Sequence, residues 1–272
     1  MRLITFLVFI ISFSAIAEET VPTPNDSAQF DLWQDTKHTI KLFGKGAYQQ
    51  FTQKNNLYYM GAAVPSLYWA FEEDDRVKDL MLSKEMKKPV EIFGTLGVVF
   101  NFPFIPAAAW YYAKKTNDNH CRQFAMEYMA TLYLALGESG LLSFIQVHER
   151  PVNSNIGFWE EAFRGDSSWP SGHVIPYMAL TFKTYQFFGP YWATIPLGLS
   201  YVASIQRMQD GKHWLSDIVG SFFLSAFASE GVRAANGYKQ NYPVYKWMFE
   251  HDFQVGVLRY RGSWGPRISF TF

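Results

Sequence analysis

Cysteine is almost missing from this 272-residue chain: Cys121 stands alone, so no disulfide can form within it. Net charge is missing as well, with 24 basic and 24 acidic side chains. That removes the electrostatic case for nucleic acid or for a strongly acidic partner. No internal repeat stands out. The six histidines are scattered, and no group of carboxylates and histidines has metal-ligand spacing, so neither a metal nor any other cofactor is expected. Long apolar runs are scarce. Ile92 to Tyr112, 21 residues broken only by Asn101, is the one stretch that reads clearly as a possible membrane span. The mean hydropathy of −0.10 is low for a chain crossing a bilayer many times.

What is present is an apolar and aromatic chain, 49% hydrophobic and 18% aromatic, long enough for one large domain with a substantial core. Arg2, the apolar run Leu3 to Ile16 and an Ala15-Ile16-Ala17 end predict a signal peptide over 1–17. A polar segment follows over 18–48, its first part to about Asp35 reading as a linker with Pro22 and Pro24. Helical patterns then fill 49–238. They include Leu57 to Phe71, interrupted by Pro65, and a charged stretch Glu72 to Lys88 that reads as a solvated loop or exposed helix. Phe124 to Val147, Val174 to Phe188, Tyr191 to Ile205 and Ile218 to Ser229 follow, with Gly189-Pro190 between two of them. Over 239–272 the period changes: Phe253, Val255 and Val257 alternate with polar or small residues, Arg261 to Pro266 turns, and Ile268, Phe270 and Phe272 alternate again. The expected fold is all-α, a bundle of about six helices with a small C-terminal β-hairpin.

Three stretches carry chemistry. In Ile205 to Asp217 the spacing R-x5-H-x3-D joins Arg207, His213 and Asp217, and the last two would share a face if they lie on one helix. A carboxylate beside an imidazole fixes its tautomer and steadies the cation formed when the ring acts as a nucleophile. The arginine offers a planar fork of donors suited to phosphate. Trp169-Pro170-Ser171-Gly172-His173 places a hydroxyl, a glycine and an imidazole at the head of the apolar run from Val174. A helix beginning there would aim its first N–H groups at an anion. Glu149-Arg150-Pro151 closes the preceding helical pattern, where Pro151 is a plausible stop. Each stretch alone also suits a surface pair, a helix end or a turn.

Together, Arg150-Pro151, Pro170 to His173, and Arg207, His213 and Asp217 resemble the type 2 phosphatidic acid phosphatase family. That family shares its site with bacterial class A acid phosphatases and vanadium haloperoxidases, and its pattern is K-x6-R-P, then P-S-G-H, then S-R-x5-H-x3-D. A P-S-G-H string by itself would occur by chance in about one chain of this length in a thousand. Two positions depart from the pattern: Ser143 stands where the family has its lysine, and Gln206 where it has a serine. The missing lysine removes a cationic phosphate contact worth about 1.5–3 kcal/mol. Lys212 and His148 are the nearby cations that could replace it.

The resemblance implies a metal-independent phosphatase. His213 attacks phosphorus, Asp217 holds its other ring nitrogen, and His173 protonates the leaving oxygen. Arg150, Arg207, Ser171 and the Gly172 N–H gather the phosphoryl oxygens. The partner is then a phosphorylated lipid or a small phosphomonoester, with the apolar, aromatic chain favouring a lipid. A vanadium haloperoxidase and a non-catalytic anion-binding envelope protein are the readings from other classes. If Ile92 to Tyr112 and Phe124 to Val147 cross a bilayer in opposite directions and the next two helices do likewise, all three motifs reach the outer side. Lys114, Lys115 and Arg122 then lie in an inner loop. The expectation is an exported protein of the cell envelope, in the inner membrane with its site facing the periplasm, or otherwise soluble in the periplasm.

Overall fold

The computed structural model describes residues 30–152 and 167–249, together with the backbone of two strands beyond them. The expected signal peptide and most of the linker after it lie outside the described residues. Nine helices appear among the described residues rather than about six: α1 (Leu32–Gln49), α2 (Asn55–Leu82), α3 (Lys88–Val99), α4 (Phe104–Thr116), α5 (Asn119–Leu142), α6 (Ile175–Phe188), α7 (Pro190–Gln209), α8 (Leu215–Ala235) and α9 (Pro243–Phe249). The strands β1 (Asp252–Tyr260) and β2 (Ser263–Thr271) pair antiparallel, with Asp252 opposite Thr271 and Tyr260 opposite Ser263. Strand pairing therefore takes in Ser263 to Pro266, which the sequence pattern assigns to the turn. Pro266 falls inside β2 opposite Val257, which a two-stranded ribbon tolerates because each strand keeps an unpaired edge.

One of the extra helices, α1, comes from sequence that reads as polar. α1 starts within the expected linker, because the Asp31 carboxylate accepts from the N–H groups of Trp33 and Gln34 and caps the first turn. Four residues on, Asp35 turns inward and meets Arg122 of α5 through two hydrogen bonds of 2.9 and 2.6 Å, while the Trp110 indole of α4 donates to it at 2.7 Å. Arg122 is thus a buried anchor, not a cation of an inner loop. α1 crosses α8 where two glycines meet: a Cβ on Gly231 would lie 2.5 Å from the Gly46 carbonyl oxygen. Residues 32–48 therefore extend the bundle rather than precede it.

α2 runs unbroken through Pro65 and on into the charged stretch as far as Leu82, 28 residues in all. Its exposed charges pair along the helix, as Lys78 does with Asp75. Asp74 alone turns inward. The opposite happens to Ile92–Tyr112, which divides into α3 and α4 at a bend of 72°. The cause is Pro103, which lacks an N–H and restricts Phe102 before it. No single described helix is long and apolar enough to cross a membrane; the bent α3–α4 pair passes that test only as two pieces together.

α5, α6 and α8 form the centre. α5 and α8 bury residues all round, as core helices do. Tyr128, Leu132, Ile175, Ala228 and Val232 pack between them, with Leu42 of α1 closing one side. A second cluster under α7 joins Val174, Tyr177 and Met178 to Ala203, Met208 and Ile218. The N-terminal ends of α6 and α8 emerge from this centre side by side, the first just after His173 and the second carrying Asp217.

Candidate active site

α7 ends at Gln209, and its last turn holds Arg207, which is buried. Gly211 then adopts φ +64°, a left-handed turn that favours glycine. His213 follows in the loop, ahead of α8, so it does not share a helix face with Asp217. Asp217 instead sits in the first turn of α8, where one carboxylate oxygen accepts from the Trp214 N–H at 2.9 Å and meets His213 Nδ1 at 3.2 Å. The carboxylate thus caps its helix and holds the imidazole at once. His213 is 1% exposed and Asp217 is fully buried.

The Ser171–His173 segment leads into α6, whose first residue, Ile175, follows the Val174 N-cap. Ser171 is fully buried and tied on both sides: its N–H points to the Asp217 carbonyl at 3.4 Å, and its own carbonyl accepts from Ser221 at 2.9 Å. Its hydroxyl has no hydrogen-bond partner among the described residues. The His173 ring lies 6.4 Å from the His213 ring, centroid to centroid, at 56°. α3 backs this segment so closely that a Cβ on Gly97 would come within 2.5 Å of the His173 carbonyl oxygen.

Arg150, nearly buried, lies in the loop after α5. That loop is bonded to both others: Glu149 bridges to Ser167, Val152 N–H donates to the Gly211 carbonyl at 3.1 Å, and the Trp214 indole donates to the Glu149 carbonyl at 2.7 Å. The three motif loops, distant in sequence, therefore converge beside the ends of α6 and α8.

The departures from the family pattern are also placed. Ser143 is the buried C-cap of α5, and its hydroxyl donates to the Gly140 carbonyl at 2.6 Å. Gln206 is buried against Gly94 of α3 and donates to Asp210 at 2.6 Å. Of the two candidate replacements, Lys212 is paired with Asp210 at 3.3 Å, and both ring nitrogens of His148 lie within hydrogen-bond reach of serines.

Four supporting residues were not singled out from sequence as such. Ser168 reaches the second oxygen of Asp217 at 3.3 Å. His148 contacts Ser168 at 2.7 Å and Ser216 at 3.1 Å, and Ser216 donates to Asp74 of α2 at 2.6 Å. Burial pushes the Asp74 carboxyl up and holds His148 below its usual value near 6.5, with Asp74 opposing the second effect. Among the described residues, no group of three or more His, Cys, Asp or Glu could hold a metal ion.

Residues 124–239 match the family model of the PAP2 superfamily. The match begins in α5, ends just beyond α8 and contains every motif residue described above. The superfamily generally comprises phosphatases, which supports a phosphoric-ester hydrolase. No curated protein and no solved structure matches the chain.

Proposed function

We propose that the chain is a metal-independent phosphatase of the cell envelope, acting on phosphomonoesters through a phosphohistidine on His213. The observation that carries this reading is the buried Asp217–His213 pair at 3.2 Å. A carboxylate that accepts from Nδ1 leaves Nε2 as the nucleophilic nitrogen and stabilises the cation formed on attack. His173, on the facing loop, protonates the leaving oxygen. The 6.4 Å between the two rings can be spanned by a phosphoryl group held between attacking and leaving atoms. Arg150, Arg207, the Ser171 hydroxyl and the Gly172 N–H gather the equatorial oxygens where charge spreads, and α6 adds its positive end. Water then attacks the phosphohistidine in line, with His173 now the base.

A lipid phosphate fits the surface better than a small soluble ester. Ile92, Phe93, Val98 and Phe102 stand exposed on and after α3, the helix that touches His173. Trp69 of α2 and Tyr191, Trp192, Ile195 and Tyr201 of α7 are exposed too. Apolar area on this scale suits a membrane-associated protein. We place it in the envelope of the cell, exported, with its site on the outer side of the inner membrane.

The test is phosphate release in EDTA from phosphatidic acid micelles and from a soluble aryl phosphate. Turnover on the lipid, undiminished by the chelator, is expected. Loss of all turnover on chelation overturns the mechanism, and turnover on the aryl ester alone moves the substrate to small phosphomonoesters.

A further inference from the structure

Behind the Asp217–His213 pair runs a chain of hydrogen bonds whose protons can be counted. It begins at Asp74 on α2, whose two oxygens accept from the Ser216 N–H at 2.9 Å and the Ser216 hydroxyl at 2.6 Å. Ser216 Oγ lies 3.1 Å from His148 Nε2, and His148 Nδ1 lies 2.7 Å from Ser168 Oγ. Ser168 Oγ lies 3.3 Å from Asp217 Oδ1, the oxygen that His213 does not use.

Each hydroxyl has a single proton to give. That of Ser216 goes to Asp74 Oδ2, so His148 donates from Nε2. In the neutral ring Nδ1 is then an acceptor, and at 2.7 Å it takes the Ser168 proton, leaving Asp217 Oδ1 without it. In the protonated ring Nδ1 becomes a donor to Ser168 Oγ, and the Ser168 proton turns to Asp217. The other acceptors near Ser168 Oγ, the His148 and Glu149 carbonyls, lie farther away at 3.4 Å.

We propose that His148 is a positioning residue: its protonation decides whether the one Ser168 proton goes to His148 or to Asp217, and so how strongly Asp217 holds His213. A further donor on Asp217 draws charge from the oxygen facing His213 Nδ1, which weakens the imidazole as a nucleophile. Turnover is highest with His148 neutral. Among the described residues, the acids within 4 Å of the His148 ring are Asp74 from α2 at 3.8 Å and Asp217 from α8 at 3.6 Å. The rings of Phe71 and Trp214 cover it, with Lys78 above the latter. The kinetic consequence rests on the phosphatase reading; the proton switch does not.

The test therefore has an arm that needs no turnover. Ring ¹⁵N shifts of the histidines in the whole protein are followed from about pH 5 to about pH 9. The titration of His148 is expected to appear as a second inflection in the His213 shifts. In Ser168→Ala, His148 still titrates and that inflection shrinks or vanishes. A His213 trace that ignores His148, or an inflection undiminished in Ser168→Ala, overturns the proposal. Should Ser168→Ala fail to fold, His148→Asn carries the same readout. In the kinetic arm, His148→Asn removes one inflection from the acid limb of kcat on an aryl phosphate, with KM within about twofold. A wild-type pH profile in that variant counts against the proposal. If wild-type protein releases no phosphate, the phosphatase reading fails and the ring shifts alone decide.

Discussion

Replacing His213 by alanine is expected to lower phosphate release by more than about 10⁴-fold while leaving the melting temperature close to that of wild type. The two halves of that statement come from separate features of the structure. His213 stands in the loop before α8, meets that helix through the Asp217 carboxylate and does not cap it. Asp217, which does, keeps its bond to the Trp214 N–H. Asp217→Asn is a subtler probe: the oxygen that caps α8 is also the one that meets His213 Nδ1, so an amide with its oxygen there keeps both bonds but brings no negative charge, and one with its nitrogen there gives up both. In either orientation the imidazolium loses its counter-charge, and kcat is expected to fall by about 10³- to 10⁴-fold with KM little changed. Rapid-quench labelling with a radioactive phosphoester completes the comparison. An acid-labile phosphoprotein should accumulate in wild type and be missing in His213→Ala. Substantial turnover in His213→Ala would remove the histidine from the role of nucleophile and return the site to a binding reading.

The pieces of the site that were legible in the sequence are those written in consecutive or closely spaced residues. Arg150-Pro151, Pro170 to His173 and the R-x5-H-x3-D spacing each mark a loop, and the structure brings the three loops together. Spacing alone misled on one point. Four residues suggested a shared helical face for His213 and Asp217, whereas the contact comes from a carboxylate in the first turn of α8 reaching back over its own N-terminus. What the sequence could not offer were contacts across the fold. Asp74 lies in a run with Glu72, Glu73, Asp75 and Arg76, and nothing local distinguishes the one acid that faces inward. His148 draws notice only as a stray cation near the motif, because its partners Ser168 and Ser216 come from two other segments. The bundle itself was legible as a series of apolar runs, but their ends were not. Pro65 sits inside a helix, since α2 is held along its length by α8, while Pro103 breaks one. Identical residue chemistry gave opposite outcomes because packing decided between them.

The largest effect on stability is expected far from the motifs, at Lys183. It is fully buried in α6, four helical turns or fewer from the site, and its ammonium donates to Glu127 of α5 at 2.9 Å, to Gln186 at 2.9 Å and to the Ser229 carbonyl of α8 at 2.8 Å. Glu127 also accepts from Arg233 at 2.6 Å and Asn236 at 2.7 Å, while the neighbouring Glu230 accepts from Tyr245, Asn55 and Gln186. Two acids and two bases thus close a neutral polar knot inside the apolar core, fastening α6 and α8, the two helices whose starts carry His173 and Asp217, to α5. Lys183→Met keeps the length of the side chain but leaves one oxygen of Glu127 buried without its cation. The expected cost is about 3–5 kcal/mol, read by urea denaturation. Lys183→Met combined with Glu127→Gln removes the stranded charge and should recover part of that loss despite being the larger change. A single variant within about 1 kcal/mol of wild type would show that water or a shifted Arg233 satisfies Glu127, and the knot would then fasten the helices less than its hydrogen bonds suggest.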